Sequence, residues 1–163
     1  MTASVFSSKR ISKTSTIILD APLSRVFPLF GPIKEKEWSI GWKPQILHPA
    51  NANVEEHMVF KTAPHPGHNE PDYAWVVSKY QPSQSLIEYT VFSPERVWWI
   101  TVQCREEVAN RTTAEITYTY SGLTDLGNAI NERTLQIMFS RDLKDWEEAI
   151  AYYLKTGKKL DHH

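Results

Sequence analysis

The sequence predicts an α+β fold in which a curved antiparallel sheet of six to seven strands wraps a long C-terminal helix, with one or two short helices after the first strand. Three observations carry this. A β-branched apolar segment, TIIL at 16–19, runs straight into Asp20-Ala21-Pro22. Residues 45–121 alternate Val, Ile, Thr, Tyr, Phe and Trp between turn residues, as strands of a meander do. After Gly122 the apolar residues recur every three to four positions, the period of a helix.

Pro22, with its fixed φ and no N–H to lose, suits the first position of a helix. That helix carries Val26, Phe27, Leu29 and Phe30 on one side, is kinked by Pro28 and must stop at Gly31-Pro32. A further helical turn is expected over 33–38, before Gly41 and Pro44 punctuate a loop that holds Trp38 and Trp42. Strands are expected at 45–48, 57–62, 73–80, 86–93, 97–107 and 112–121, the later ones joined by turns at Pro82 to Ser85, Ser93-Pro94 and Asn110-Arg111. The long helix places Leu135, Met138 or Phe139, Leu143, Trp146, Ile150 and Tyr153 or Leu154 on one stripe, with a bent first section where Gly127, Asn128 and Asn131 weaken it. Gly157 ends it.

A length of 163 residues fits one domain, expected over 16–160, behind a flexible N-terminal segment 1–15 rich in Ser, Thr, Lys and Arg. Eighteen basic and nineteen acidic residues leave a net charge of −1, too little positive field to draw in nucleic acid. No stretch reaches the ~20 apolar residues of a membrane span. The lone cysteine, Cys104, cannot close an internal disulfide, and the N-terminus lacks an apolar signal stretch, so the expected location is the cytoplasm. His162 and His163 carry no assigned role.

Ala21-Pro22 with Val26-Phe27, the Glu37-Trp38 turn, Tyr118 to Leu123 running into Gly127-Asn128, and Asp145-Trp146-Glu147 with Ile150, Tyr153-Leu154 and Gly157 together resemble the helix-grip superfamily. This superfamily includes START domains, polyketide cyclases and pollen allergens. The resemblance covers nearly the whole chain from Thr16. It implies a cavity between sheet and long helix for a small hydrophobic molecule such as a lipid, polyketide or aromatic metabolite. It also leaves a homodimer open.

Within that frame the aromatic residues are the candidate ligand contacts, since rings supply apolar area at small entropic cost and phenols and indoles add a few orienting donors. The expected set is Trp38, Trp42, Phe60, Tyr73, Trp75, Tyr89, Trp98, Tyr118, Tyr120, Leu135, Met138 and Phe139. Strand alternation turns Trp98, Ile100, Val102 and Cys104 inward with Ile116, Tyr118 and Tyr120, and leaves Trp99 and Glu88 outside. Cys104 then reads as inert packing. Trp146, on the inward face of the helix's C-terminal half, is expected to be core that plugs the end of the sheet a ligand does not reach, with Met138 and Phe139 near the pocket mouth.

Chemistry is less well marked. His65, His68, Glu70 and Asp72 could ligate a zinc-like ion, but the prolines around them predict a solvated loop and no metal site. His57 beside Glu55-Glu56 reads as a charged strand end. No Gly-rich phosphate loop, G-x-S-x-G elbow, Cys-x-x-Cys or HExxH helix occurs, so no cofactor is expected. Three functions follow: carriage of a hydrophobic ligand; an aromatase, cyclase or dehydratase using His57, Glu88, Tyr118 or Tyr120; or a protein-binding face centred on Trp99.

Overall fold

Seven strands form one antiparallel sheet in the order β1-β7-β6-β5-β4-β3-β2, seen in a computed structural model that describes residues 5–64 and 69–160. The strands are β1 (Arg10–Leu19), β2 (Gln45–His48), β3 (Val59–Thr62), β4 (Tyr73–Gln81), β5 (Leu86–Phe92), β6 (Arg96–Val108) and β7 (Arg111–Gly122). From β2 to β7 every strand pairs with its successor, through short turns from β4 onward, and β1 closes the far edge against β7. The helix-grip architecture expected from the sequence is therefore present.

Three boundaries differ from expectation. β1 starts at Arg10, not 16, because residues 10–15 pair in register with β7, from Arg10 opposite Ser121 to Ser15 opposite Ile116. The second part of the expected flexible segment is thus strand, and its hydroxyls bond across the pair, Ser12 to Thr119 and Thr14 to Thr117. β3 begins only at Val59, since His57 sits at φ 74, outside the extended region.

The third difference concerns the long helix, which is two. α2 (Asp125–Met138) and α3 (Lys144–Thr156) are separated by residues 139–143, where Asp142 and Leu143 both take positive φ. The apolar period continues across the gap, so the sequence pattern reads as one helix. Thr124 caps α2, its side chain accepting from the Gly127 N–H, and Gly157 at φ 73 ends α3.

Between β1 and β2, α1 (Leu23–Val26) gives way to a 3-10 turn at Phe27–Phe30, where Pro28 removes the N–H an α-helix would need. A second 3-10 turn follows at Lys34–Glu37. These turns and α3 close the concave side, and Phe30, Trp38 and Ile150 lie in the buried core with the inward residues of the strands.

A candidate ligand cavity

Register brings the inward aromatics into line. Phe60 opposes Trp75, Trp75 opposes Val91, Val91 opposes Trp98, and Trp98 opposes Tyr120, a single rung from β3 to β7. One step along the strands, Tyr89 opposes Ile100 and Ile100 opposes Tyr118. Paired residues of one face sit close enough for their rings to meet: Phe60 and Trp75 stack at 5.2 Å and Trp98 and Tyr120 at 5.7 Å between centroids.

The 3-10 turns supply the opposite wall. The Trp38 indole donates to the Leu29 carbonyl at 2.7 Å and the Trp42 indole to the Pro32 carbonyl at 2.7 Å, so the chain that precedes each ring also fixes it. Trp42 meets Trp75 edge-on at 5.3 Å, and Trp38 meets Trp146 of α3 at 5.8 Å. Between these groups lies a cavity of about 220 Å³, lined by Glu35, Trp38, Ser39, Trp42, Trp75, Trp98, Ile100, Tyr118, Tyr120, Met138 and Trp146.

Of the residues expected to contact a ligand, Trp38, Trp42, Trp75, Trp98, Tyr118, Tyr120 and Met138 converge on this space. Phe60 stacks behind Trp75, and Tyr89 packs against Trp75 with its hydroxyl donated to the Phe30 carbonyl at 2.6 Å. Leu135 is half-buried against the core away from the lining. Phe139 is buried behind Tyr118 at 5.8 Å. Trp146 faces the cavity instead, which reverses the expected division of labour: the break at 139–143 turns Phe139 into the plug and α3 swings Trp146 to the wall.

Glu35, Ser39, Ile100 and Trp146 were not expected in the lining. Alternation already placed Ile100 inward, but nothing in the KEKE segment distinguishes Glu35 from its neighbours. Only the 3-10 turn, with the Glu35 N–H on the Gly31 carbonyl at 3.0 Å, aims it inward while Lys34 and Glu37 pair at the surface. Burial among aromatic carbon pushes its carboxyl up to about 8. Burial likewise raises the Tyr118 and Tyr120 phenols well above their ordinary value, so both stay protonated.

A second polar centre supports the wall from behind. The Arg96 side chain is 1% exposed and pairs at 3.0 Å with Glu70, itself 2% exposed. Its guanidinium also donates to the Tyr73 hydroxyl and to Asn131 of α2, and lies 4.4 Å from the Trp98 ring centre. Tyr73, expected at a ligand, serves this network. Glu70 is therefore buried structure rather than part of a solvated loop; His65 and His68 lie outside the described residues. Burial alone would raise the Glu70 carboxyl, but hydrogen bonds from Arg96, Tyr73 and Ser93 and the Arg96 charge outweigh it and hold it at about 2.

The other candidates lie apart. Glu88 of β5 lies on the sheet face away from the cavity, as expected, accepting from Ser78 at 2.9 Å and Thr101 at 3.1 Å. His57 is exposed. Trp99 is half-covered, with the Arg10 guanidinium 5.8 Å from its ring. Burial raises the Cys104 thiol to about 12, in keeping with inert packing.

No family model matches the chain, and no curated protein matches it in sequence. Solved structures do match it in fold. Norcoclaurine synthase from Thalictrum flavum superposes with a TM-score of 0.67 at 9% identity, over 91% of this chain and 88% of that one. An aromatase/cyclase from Streptomyces sp. R1128 gives 0.66 at 12% identity, over 94% of this chain and 100% of that one. A Thermobifida fusca protein gives 0.64 at 14% identity, over 93% and 99%. Together with the topology, these place the chain in the helix-grip fold shared by polyketide cyclases and pollen allergens. No helix among the described residues is long and apolar enough to cross a membrane.

Proposed function

We propose that this helix-grip protein binds a small aromatic or otherwise hydrophobic molecule in the cavity between sheet, 3-10 turns and α3. The observation that carries the reading is the lining itself: five of the six tryptophans and two tyrosines surround one space of about 220 Å³. The rings touch one another around this space without filling it. The volume is below the roughly 300–1,000 Å³ of sites for drug-sized molecules, so the ligand is small. In the same fold, norcoclaurine synthase is seen with dopamine and hydroxybenzaldehyde, both single-ring compounds. The cytoplasm is the compartment we assign to it.

A saturable one-to-one quench of tryptophan fluorescence by 2-naphthol, with micromolar affinity, is the expected result. Filling the space with Ile100→Trp should abolish the quench while thermal melting persists. A protein that binds no apolar probe would overturn the reading.

The enzymatic alternative gains from one observation. Tyr118 and Tyr120 converge on the cavity together with an acid, Glu35, that keeps its proton at neutral pH, the disposition of a proton donor toward a bound carbonyl. His57 and Glu88 take no part. Conversion of a linear poly-β-ketone analogue to an aromatic product, followed by absorbance and lost in Glu35→Gln, would establish it. A ligand that is bound but returned unchanged leaves carriage as the function.

A further inference from the structure

Three indole N–H groups at the cavity are already used within the protein. Trp38 donates to Leu29, Trp42 to Pro32, and Trp75 to the Thr62 hydroxyl at 2.8 Å. What these rings offer a ligand is therefore carbon and π surface, not donors. The rings are also fixed against one another, Trp38 to Trp146 at 5.8 Å, Trp146 to Tyr118 at 6.3 Å and Trp42 to Trp75 at 5.3 Å, so the walls cannot rearrange freely around a guest.

Among the described residues that line the space there is no lysine, arginine or histidine, and the only carboxyl is Glu35. No described residue donates a hydrogen bond to that carboxyl. An anionic guest would meet a carboxyl and the negative faces of the rings. A neutral apolar guest would leave the acid unpaired. A cation meets both demands at once, since ring quadrupoles attract positive charge within about 6 Å and a carboxylate supplies the counter-charge.

We infer that the cavity is a cage for an organic cation, a quaternary or alkylated ammonium group held by the tryptophan rings with the Glu35 carboxylate as its counter-ion. This rests on the ligand-binding reading and specifies its substrate class. The charged and titratable groups around Glu35 leave it as the single responder. Tyr89 of β5 and Tyr118 of β7 face it as neutral phenols raised by burial. Arg96 of β6 is taken by Glu70, Lys34 pairs with Glu37 at the surface, and Glu37 accepts from Tyr153 of α3. Because the empty site holds a protonated acid, a permanent cation enters with release of that proton, and its affinity increases with pH up to the carboxyl's own value.

The probes are choline and its neutral carbon isostere 3,3-dimethylbutan-1-ol, titrated calorimetrically into the parent and Glu35→Gln between pH 6 and 9. Choline should bind the parent about tenfold or more tightly than the isostere at pH 8.5. Its affinity should fall by up to about tenfold per pH unit below 8. In Glu35→Gln the pH slope should vanish and the preference should shrink to the part the rings supply, while isostere binding persists. Equal binding of the two probes by the parent, or a choline preference and pH slope undiminished in Glu35→Gln, would overturn the inference. If 2-naphthol binds and choline does not, the cage is wrong and the cavity reading stands; if nothing binds, both fail.

Discussion

Between pH 4.5 and about 8 the folded chain retains a proton on Glu35 that the unfolded chain releases. Stability contributed by that group therefore declines as pH rises through this window, because the native state binds more protons than the unfolded one. Glu35→Gln removes the penalty, and thermal melts at pH 8.5 should show it more stable than the parent by on the order of 2–3 kcal/mol, with the difference gone at pH 4.5. Glu70 behaves in the opposite sense. Its carboxyl is held at about 2 in the fold, so its contribution is complete above 4.5 and is lost as pH falls toward 2. Glu70→Ala leaves Arg96 charged and buried without its counter-ion, which should cost about 3–5 kcal/mol in urea unfolding, whereas Glu70→Leu with Arg96→Met should lose much less. Neither residue could be singled out from the sequence as what it is. Glu70 sits in a proline-rich loop beside two histidines, and its partner Arg96, 26 positions away, opens β6 just after the Ser93-Pro94 turn with no pattern that marks it.

At the scale of elements, local pattern and register explain what was legible. Strict alternation in β6 and β7 located Trp98, Tyr118 and Tyr120 inside because one face of the sheet is buried and the other is not. The same reasoning could not find the break at residues 139–143, since Leu143 keeps its place in the apolar stripe while its backbone leaves the helical region. The consequence is testable. Phe139→Ala should cost about 3–5 kcal/mol and leave 2-naphthol binding by the folded fraction intact, as a buried plug would. Trp146→Ala should weaken that binding by about tenfold with a smaller loss of stability. Close approach sets the start of α2. A Cβ on Gly127 would fall 1.8 Å from the Glu95 carbonyl oxygen, so Gly127→Ala must push the first turn off the β6 turn despite its better helix propensity. A melt showing Gly127→Ala destabilised by about 3 kcal/mol is expected; an unchanged melt would mean that α2 shifts freely.

For the molecule as a whole, the long-range result is that two helices are tied to different parts of the sheet. α2 is held through Asn128, which accepts from the Lys9 N–H at 3.0 Å and donates to the Ser7 carbonyl, and through Asn131 on Arg96. α3 is held at the outer edge of β1, where Glu147 accepts from the Ile18 N–H at 2.9 Å, and by Arg25 donating to the Leu154 carbonyl. The ties from α3 to β1 and Arg25 are exposed, where water competes for them, whereas Asn131 bonds inside the protein. Residues 139–143 thus mark a boundary between cooperative units, and the free energy for opening one need not equal that for opening the other. Native-state hydrogen exchange should find the amides of α3 exchanging through a local opening at lower free energy than those of α2. Because α3 carries Trp146, each such opening unroofs the cavity, and the opening rate of α3 becomes an upper bound on how fast a guest can leave by that route. Identical protection across both helices would show that the kink transmits order as well as an unbroken helix does.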